Sequence, residues 1–160
     1  MRHLDQANRL DAWHAAYMDE VIRPVMHPAA RALVDGHREA GDLCLLVTAT
    51  NRFVTAPIAR AFGIEHLIAT DIEETADGAF TGAPRGVPAF REGKIVNTEA
   101  FLASRGQRLA DFADSFFYSD SRNDVLLLER VTRPVATNPD DRLRAIAAER
   151  GWPVLELFTR

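Results

Sequence analysis

The sequence predicts an α/β fold with a doubly wound, parallel sheet. Apolar runs of strand length alternate along the chain with segments of helical periodicity, which is typical of successive strand–helix units. Two runs, residues 43–47 and Phe116–Ser119, are apolar almost throughout, as expected for buried strands. Right-handed crossovers would bring the ends of both strands to one edge of the sheet, where ligands of open α/β folds bind.

The composition is that of a folded globular protein. The chain has 160 residues, of which 47% are hydrophobic and 26% charged, enough for a sizeable core. A net charge of −4 without a basic block argues against nucleic acid as a partner. The lone Cys44 lies in an apolar run, so no disulfide framework exists and a reducing cytoplasm is expected. No membrane span or signal peptide is expected, and no pattern specifies an oligomeric state.

Two helices are predicted before the first strand. Residues 8–22 place apolar side chains at three- and four-residue spacing. Pro24 is expected to end that helix, because proline disfavours helical geometry in the residue before it. A second helix is predicted from Pro28 to residue 40, with Gly41 as a left-handed stop.

The later elements continue the alternation. A hairpin with a primed turn is predicted at Asp77-Gly78, and Pro84, Gly86 and Pro88 indicate a loop. The remaining predicted elements are helices at residues 53–62, 94–104, 125–130 and 138–150, and strands at residues 66–70, 134–136 and 154–157.

An acidic turn directly follows the strand Phe116–Ser119. Asp120 and Asp124 are four residues apart across this turn, close enough to converge on one hard cation, which would prefer carboxylate and water oxygens. The alternative is a purely structural turn in which Asn123 or Asp124 caps the next helix.

Two further positions predict anion binding. Residues 48–51 end a strand in small polar side chains just before a helix, where free backbone N–H groups would form a phosphate-binding position. Thr50 or Asn51 would also cap that helix, and the two roles are compatible. Lys94 follows Gly93 at a predicted helix start, where the dipole disfavours a cation unless an anion lies beside it. A solvated surface lysine is the alternative. The five histidines show no metal-ligand spacing and are interpreted as helix-surface or packing residues.

The order of these motifs resembles motifs two to four of the haloacid dehalogenase-like hydrolases, in the phosphoserine-phosphatase-like branch with a helical cap. The resemblance rests on Thr48 after a strand, Gly93-Lys94 at a helix start and residues 120–124 after a second strand. It implies a Mg²⁺-dependent phosphatase of a small phosphorylated metabolite, for example phosphoserine or histidinol phosphate. Residues 1–27 would be a remnant of the cap, and residues 28–160 the α/β core.

The resemblance also implies a role for each matching residue. Thr48 and the N–H of Ala49 would hold the phosphate, and Lys94 would offset charge on the phosphoryl group and on the nucleophile. Asp120 would bind Mg²⁺ directly, and Asp124 would hold a metal-bound water or orient the loop. Asn123, in the same turn, would support the substrate phosphate or the loop geometry.

One departure from the family pattern matters most. The first motif, Asp-x-Asp after an early apolar strand, is absent from the sequence. Family members use its first aspartate as nucleophile and its second as general acid/base, on a strand at the centre of the sheet. We therefore expect a piece of a longer protein, or a start assigned too late, in preference to a degenerate gene. The 160 residues alone are expected to show no phosphatase turnover.

Two hypotheses of other classes stay open. A non-catalytic module would keep the phosphate and metal pocket for binding or regulation, which the missing aspartates favour and the intact later motifs oppose. A receiver-like doubly wound domain would need an acceptor aspartate at the end of an early strand, where this chain has Thr48.

Overall fold

The structure is a computed structural model that describes residue 10 and residues 12–158. The chain consists of two compact units, Met1–Pro88 and Ala89–Arg160. Each unit contains its own three-stranded sheet with flanking helices, and parallel pairing occurs in both sheets. The predicted α/β class is therefore confirmed. Among the described residues, no helix combines the length and the apolar character needed to cross a bilayer.

The first helix, α1, spans residues 12–25 and includes a π-helical stretch, Met18–Ile22. The prediction that Pro24 ends this helix is wrong. The N–H of Arg23 bonds to the carbonyl of Met18, five residues back, and Pro24 then lies in the first turn of the segment Arg23–Val25. Proline is tolerated there, because first-turn N–H groups lack a partner within the helix. Residues 8, 9 and 11 of the predicted helix lie outside the described residues.

Helix α2, Pro28–Glu39, forms as predicted, with proline in its first turn and Gly41 in a left-handed conformation (φ 83°) after its end. The His27 side chain caps its start by accepting the N–H of Ala29 at 3.2 Å. This histidine therefore has a local structural role at the surface of a helix, which agrees with the interpretation given for it.

The first unit is built on a sheet with the strand order β1–β2–β3. Its strands are β1 (Leu45–Asn51), β2 (His66–Glu74) and β3 (Phe80–Arg85). Helix α3 (Arg52–Ala61) connects the parallel strands β1 and β2, and β3 returns antiparallel to β2, which confirms the predicted hairpin.

The predicted primed turn of this hairpin is wrong, because Asp77 lacks the positive φ that such a turn requires at this position. The Gly78 N–H instead bonds to the Thr75 carbonyl at 2.8 Å, and the left-handed Gly78 (φ 82°) follows that turn. Pro84, expected in a loop, lies instead within β3. An edge strand tolerates proline where the missing N–H would point away from the sheet.

Helix α3 is fixed at its start by three side chains. Asn51 is its N-cap, as one of the two predicted candidates, and its Oδ1 accepts the N–H of Val54 at 2.9 Å. Arg52 pairs with Asp71 of β2 at 2.6 Å and donates to the carbonyl of Leu67 at 3.0 Å. These contacts hold the first turn of α3 against the neighbouring strand.

The second unit is an all-parallel sheet in the order β4–β5–β6. The strands are β4 (Phe116–Ser119), β5 (Arg133–Thr137) and β6 (Val154–Leu155). The helices are α4 (Glu92–Ser104), α5 (Val125–Leu128) and α6 (Asp141–Arg150). Strand β4 has the predicted bounds. Fully buried side chains of α5, α6 and β5 form the core of this unit: Leu128, Ala136, Leu143 and Ala147.

The turn between β4 and α5 is capped differently from the prediction. A 3₁₀ turn, Arg122–Asp124, precedes α5, and the Ser121 hydroxyl accepts the N–H of Asn123 at 3.2 Å. The side chains of Asn123 and Asp124, one of which would cap the helix in the purely structural alternative, do not do so. Because Ser121 satisfies the turn, the Asp124 carboxylate is available for other contacts.

Two strands have an unpaired edge and contain no charged residue. Within the described residues, β1 pairs only with β2 and β4 pairs only with β5, so each has one unpaired edge. Neither strand contains a charged residue or proline, whereas β3 contains proline, glycine and arginine, and β6 is only two residues long. Proteins usually protect a free edge with such residues or with short strands, so the edges of β1 and β4 lack protection against strand pairing.

We expect the 160-residue chain to self-associate, because the free edges of β1 and β4 are templates for strand pairing. Light scattering coupled to size-exclusion chromatography would show an average mass that rises with protein concentration. Replacing Leu46 of β1 by lysine should reduce that rise, whereas the same change at Val154 of the short β6 should not. A monodisperse monomer with a high, cooperative melting temperature would contradict this expectation.

Candidate active site

A buried ion pair joins helix α4 to the turn after β4. Lys94 lies in the first turn of α4, and Asp124 is the last residue of the 3₁₀ turn. The Lys94 Nζ lies 2.7 Å from each carboxylate oxygen of Asp124. Lys94 and Asp124 are only 7% and 6% exposed. The Asp124 carboxylate is therefore the anion that makes a lysine favourable at this helix start.

Ser119, the last residue of β4, completes the cluster. Its hydroxyl donates to Asp124 Oδ2 at 2.7 Å and accepts the N–H of Ser121 at 3.1 Å. No sequence pattern singled out this serine, although a hydroxyl directly after three aromatic strand residues and before Asp120 was an available indication. Lys94, Asp124 and Ser119 together form the Lys94 cluster.

The Lys94 cluster is electrically balanced and retains one donor. Asp124 neutralises the ammonium group, and Ser119 adds a hydrogen bond, so the buried charges are paired and hydrogen-bonded. Within the described residues, the two Asp124 oxygens are the only hydrogen-bond acceptors of Lys94 Nζ. An ammonium group has three N–H donors, so one remains for a ligand. The arrangement thus presents a fixed, poorly hydrated N–H donor that an oxygen of an anion could accept.

Asp120 directly follows β4 and is exposed. It lies at the carboxyl end of the β4–β5–β6 sheet, the position predicted for a metal ligand. No group of three or more His, Cys, Asp or Glu side chains that could hold a metal occurs among the described residues. Mg²⁺ often takes one or two carboxylates and keeps several waters. The residues present therefore fit part of a Mg²⁺ site, in which Asp120 would be the ligand. Asp124 already accepts hydrogen bonds from Lys94 and Ser119, so an orienting role suits it better.

A β-bulge contains the predicted phosphate-binding residues of the first unit. Val47 pairs with Ile68 and Asn51 with Thr70, so residues 48–50 of β1 span a single residue of β2. The Thr48 Oγ1 accepts the N–H of Thr50 at 3.2 Å. Bulges re-aim backbone groups and are frequent beside active sites. The strand thus continues through Asn51, where a loop was expected, but its ladder is interrupted at Thr48 and Ala49.

The predicted site residues are divided between the two units. Thr48 and Ala49 lie in the first unit, and the residues of motifs three and four lie in the second. The structure brings Lys94 and Asp124 into direct contact and places Asp120 and Asn123 in the turn that carries Asp124. The convergence of Thr48 with Lys94 stays a prediction.

The turn before α4 has a strained backbone at Arg91. This residue has φ 49° and ψ −118°, and the N–H of Gly93 bonds to the carbonyl of Phe90 at 2.9 Å. That is the geometry of a type II′ turn with Arg91 at the position that favours glycine. A residue with a side chain held in such a region costs about 1–3 kcal/mol. The Arg91 guanidinium lies 5.1 Å from the centre of the exposed Phe90 ring.

Thr98 has a buried hydroxyl without a partner. It follows Lys94 by one helical turn on the same face of α4 and is 9% exposed. Its Oγ1 has no hydrogen-bond partner in the part of the chain that the structure describes. A buried, unsatisfied hydroxyl lowers the free energy of unfolding by about 1–3 kcal/mol. A polar partner outside the described residues would therefore stabilise this position.

The single cysteine is not a substitute for the missing nucleophile. Burial raises the pKa of the Cys44 thiol, and the negative charge of Asp42 raises it further. A reactive cysteine needs the opposite, a lowered pKa that favours the thiolate. Cys44, which directly precedes β1, therefore lacks the lowered pKa of a reactive cysteine.

Comparison with known proteins relates the chain to phosphatases. The haloacid dehalogenase-like hydrolase family matches residues 1–129. A histidinol-phosphatase of Neisseria meningitidis serogroup C is 44% identical over 146 residues, which cover 91% of this chain and 66% of the relative. A phosphoserine phosphatase of Mycobacterium tuberculosis is 38% identical over 136 residues, or 85% of this chain and 43% of the relative. The chain spans between 43% and 66% of the length of the curated relatives it matches.

Solved structures share the fold of this chain. A protein of unknown function from Bordetella pertussis Tohama I has 59% sequence identity and a TM-score of 0.91, covering 94% of this chain and 67% of that one. A substrate-bound phosphoserine phosphatase has 18% identity and a TM-score of 0.61, covering 81% of this chain and 58% of that one. At that identity the second match shows a shared fold.

We expect removal of either partner of the Lys94–Asp124 pair to destabilise the chain strongly. Lys94→Met or Asp124→Asn should each lower the free energy of unfolding by about 3–5 kcal/mol, because one buried charge loses its partner. The double variant should lose much less than the sum of the two. Chemical denaturation of all four proteins measures this coupling.

The matched control is the exposed pair of Arg133 and Asp114 in the same unit, whose atoms lie 2.8 Å apart. Arg133→Met and Asp114→Asn should each change the free energy of unfolding by less than about 1 kcal/mol. An effect of Lys94→Met no larger than that of Arg133→Met would contradict the buried pair.

Arg91→Gly should stabilise the chain. Relief of the turn strain outweighs the added flexibility of glycine, for a net gain on the order of 1 kcal/mol in the free energy of unfolding. For a protein of this size the melting temperature should rise by about 2–4 °C in a thermal scan. Arg91→Ala should give no such gain. A lower melting temperature for Arg91→Gly would show that the turn is not strained.

Proposed function

The chain belongs to the haloacid dehalogenase-like hydrolase family, and on that basis we propose that it forms most of the core of a phosphatase. The reaction is hydrolysis of the phosphomonoester of a small metabolite, in the complete protein. The observation that carries the proposal is the Lys94 cluster, a buried ammonium group with one N–H donor left for a ligand. Phosphoryl transfer depends chiefly on such positioned positive charge.

Each proposed site residue of the second unit then has a distinct role. Lys94 donates to an equatorial oxygen of the phosphoryl group and offsets the charge that develops there. Asp124 holds the lysine in place, and Ser119 holds Asp124. Asp120 binds Mg²⁺, which supplies additional charge neutralisation when bound. Asn123 keeps the turn in the geometry that presents Asp120.

The first unit supplies the phosphate-binding backbone. The bulge at residues 48–50 frees β1 amide groups from the sheet ladder. In the proposed site the Thr48 hydroxyl and the Ala49 N–H bind phosphate oxygens. The Thr48 Oγ1 already accepts the Thr50 N–H. It can keep that bond and donate its own O–H to a phosphate oxygen, or it can give up the bond to Thr50 and contact the ligand instead.

The nucleophile comes from a strand outside these 160 residues. Three observations support this part of the proposal. The sequence has no Asp-x-Asp, the free edges of β1 and β4 contain no charged residue or proline, and the Thr98 hydroxyl has no partner among the described residues. An aspartate on that strand would attack phosphorus and expel the substrate oxygen, which the second aspartate protonates. Water would then hydrolyse the aspartyl-phosphate and release phosphate.

The named relatives suggest two substrates, histidinol phosphate and phosphoserine. The Neisseria relative shares more identity over more of its length, so histidinol phosphate is the first candidate. Residues 1–27 would be the remnant of a cap, and residues 28–160 the core. The free thiol of Cys44 fits a reducing compartment, and we propose the cytoplasm.

The test compares phosphate release by two proteins. The 160-residue chain should show no turnover of histidinol phosphate, phosphoserine or an aryl phosphate. The same chain, preceded by its genomically encoded upstream residues with an Asp-x-Asp strand, should hydrolyse at least one of them in the presence of Mg²⁺. In that longer protein Asp120→Asn should lower kcat/KM by about 100-fold or more, since a positioned charge is lost.

Asp114→Asn is the matched control, because Asp114 is an exposed carboxylate before β4 that pairs with Arg133. It should leave kcat/KM within about twofold of the parent value, as expected for an exposed ion pair. Hydrolysis by the purified short chain that Asp120→Asn abolishes would overturn the assignment of the nucleophile to another segment.

A further inference from the structure

Arg91 occupies a position where the backbone favours glycine. The type II′ turn of residues 90–93 leads directly into α4, and the Lys94 N–H bonds to the Arg91 carbonyl at 3.0 Å. Glycine would adopt φ 49° without strain, yet the chain has arginine there. Backbone strain of this kind persists where the side chain contributes something that glycine cannot.

The Arg91 side chain has no structural task that would account for this strain. It makes no capping hydrogen bond to α4, and no carboxylate within the described range pairs with it. Its contact is the ring of Phe90, which is itself 46% exposed and so gains little from being covered. A contribution to folding therefore does not explain the arginine.

The stacked guanidinium is well arranged for an oxyanion. A guanidinium lying over an aromatic ring keeps its N–H donors in its own plane, free for bidentate hydrogen bonds to phosphate oxygens. Phe90 restricts the side chain and lowers the entropy lost when a ligand binds. The backbone N–H of Lys94 bonds to the Arg91 carbonyl, so the turn is fixed relative to Lys94. The Lys94 ammonium group has one N–H donor left.

We propose that Arg91 is a substrate-binding residue that recognises the phosphate of the phosphomonoester, together with Lys94. This inference rests on the proposed function only in assuming that the phosphate belongs to a phosphomonoester substrate. The buried lysine offsets charge at the reacting phosphorus. The exposed arginine binds the phosphate dianion of the substrate and keeps it in position. Arg91 therefore sets affinity more than chemical rate.

Calorimetric titration of the 160-residue chain with inorganic phosphate tests the inference. Arg91→Gly should raise the dissociation constant about tenfold or more, which corresponds to the loss of charge-assisted hydrogen bonds. Arg91→Lys keeps the charge but not the bidentate fork and should give a smaller rise. Because Arg91→Gly relieves strain in the turn, unfolding would not account for the loss.

The matched control is Arg105→Gly. Arg105 lies at the other end of α4 and is placed over the Phe101 ring at 5.7 Å, with an ordinary φ of −100°. This variant has the same net charge as Arg91→Gly but should bind phosphate within about twofold of the parent. Acetate at equal ionic strength should not compete with phosphate for Arg91.

The outcomes separate this inference from the proposed function. Equal affinities for Arg91→Gly and Arg105→Gly, no phosphate binding by the parent chain, or equal competition by acetate would each overturn it. In the longer, catalytic protein Arg91→Gly should raise KM about tenfold and change kcat less than about twofold, as expected for loss of ground-state and transition-state binding alike. If the longer protein shows no turnover but the 160-residue chain still binds phosphate in a way that depends on Arg91, the proposed function is refuted and the inference about Arg91 stands.

Discussion

The buried contact between Lys94 and Asp124 is the constraint on which the second unit's site depends. A lysine near a helix start and a carboxylate in a tight turn are each unfavourable in isolation when buried, and together they satisfy one another. Ser119 and Ser121 extend the contact into the end of β4, so the apolar strand, the 3₁₀ turn and α4 are joined by one hydrogen-bonded chain. Asp120, which directly follows this strand, is positioned by the same hydrogen-bonded chain.

Most of the fold was predictable, because the hydrophobic periodicity and the positions of glycine and proline indicate the same helices and strands. Strand β4, helix α2 and the hairpin at Asp77-Gly78 follow directly from an apolar run, a first-turn proline and an Asp-Gly pair between two strand-like segments. The failures share a cause. Pro24 and Pro84 break the local rule where the backbone offers an exception, a π-helical stretch in one case and an edge strand in the other. Single-residue propensity does not carry information about such neighbours.

The site was predictable in its ionic residues but not in their contacts. Sequence spacing singled out Lys94 and Asp124 separately, and only the fold shows that one is the partner of the other, since they are thirty residues apart. Ser119 was missed because a lone serine after a strand has many ordinary explanations. Arg91 was missed because its distinguishing property is a backbone angle, which a sequence does not display.

The most direct measurement of the central contact is the ¹⁵N signal of the Lys94 ammonium group by NMR. A buried ammonium bonded to Asp124 should give a slowly exchanging signal, which is assigned without ambiguity because Lys94 is the only lysine in the sequence. That signal should be lost or shifted in Asp124→Asn and should move when inorganic phosphate is added. A Lys94 ammonium that exchanges as fast as a solvated amine, and is unaffected by Asp124→Asn, would contradict the account.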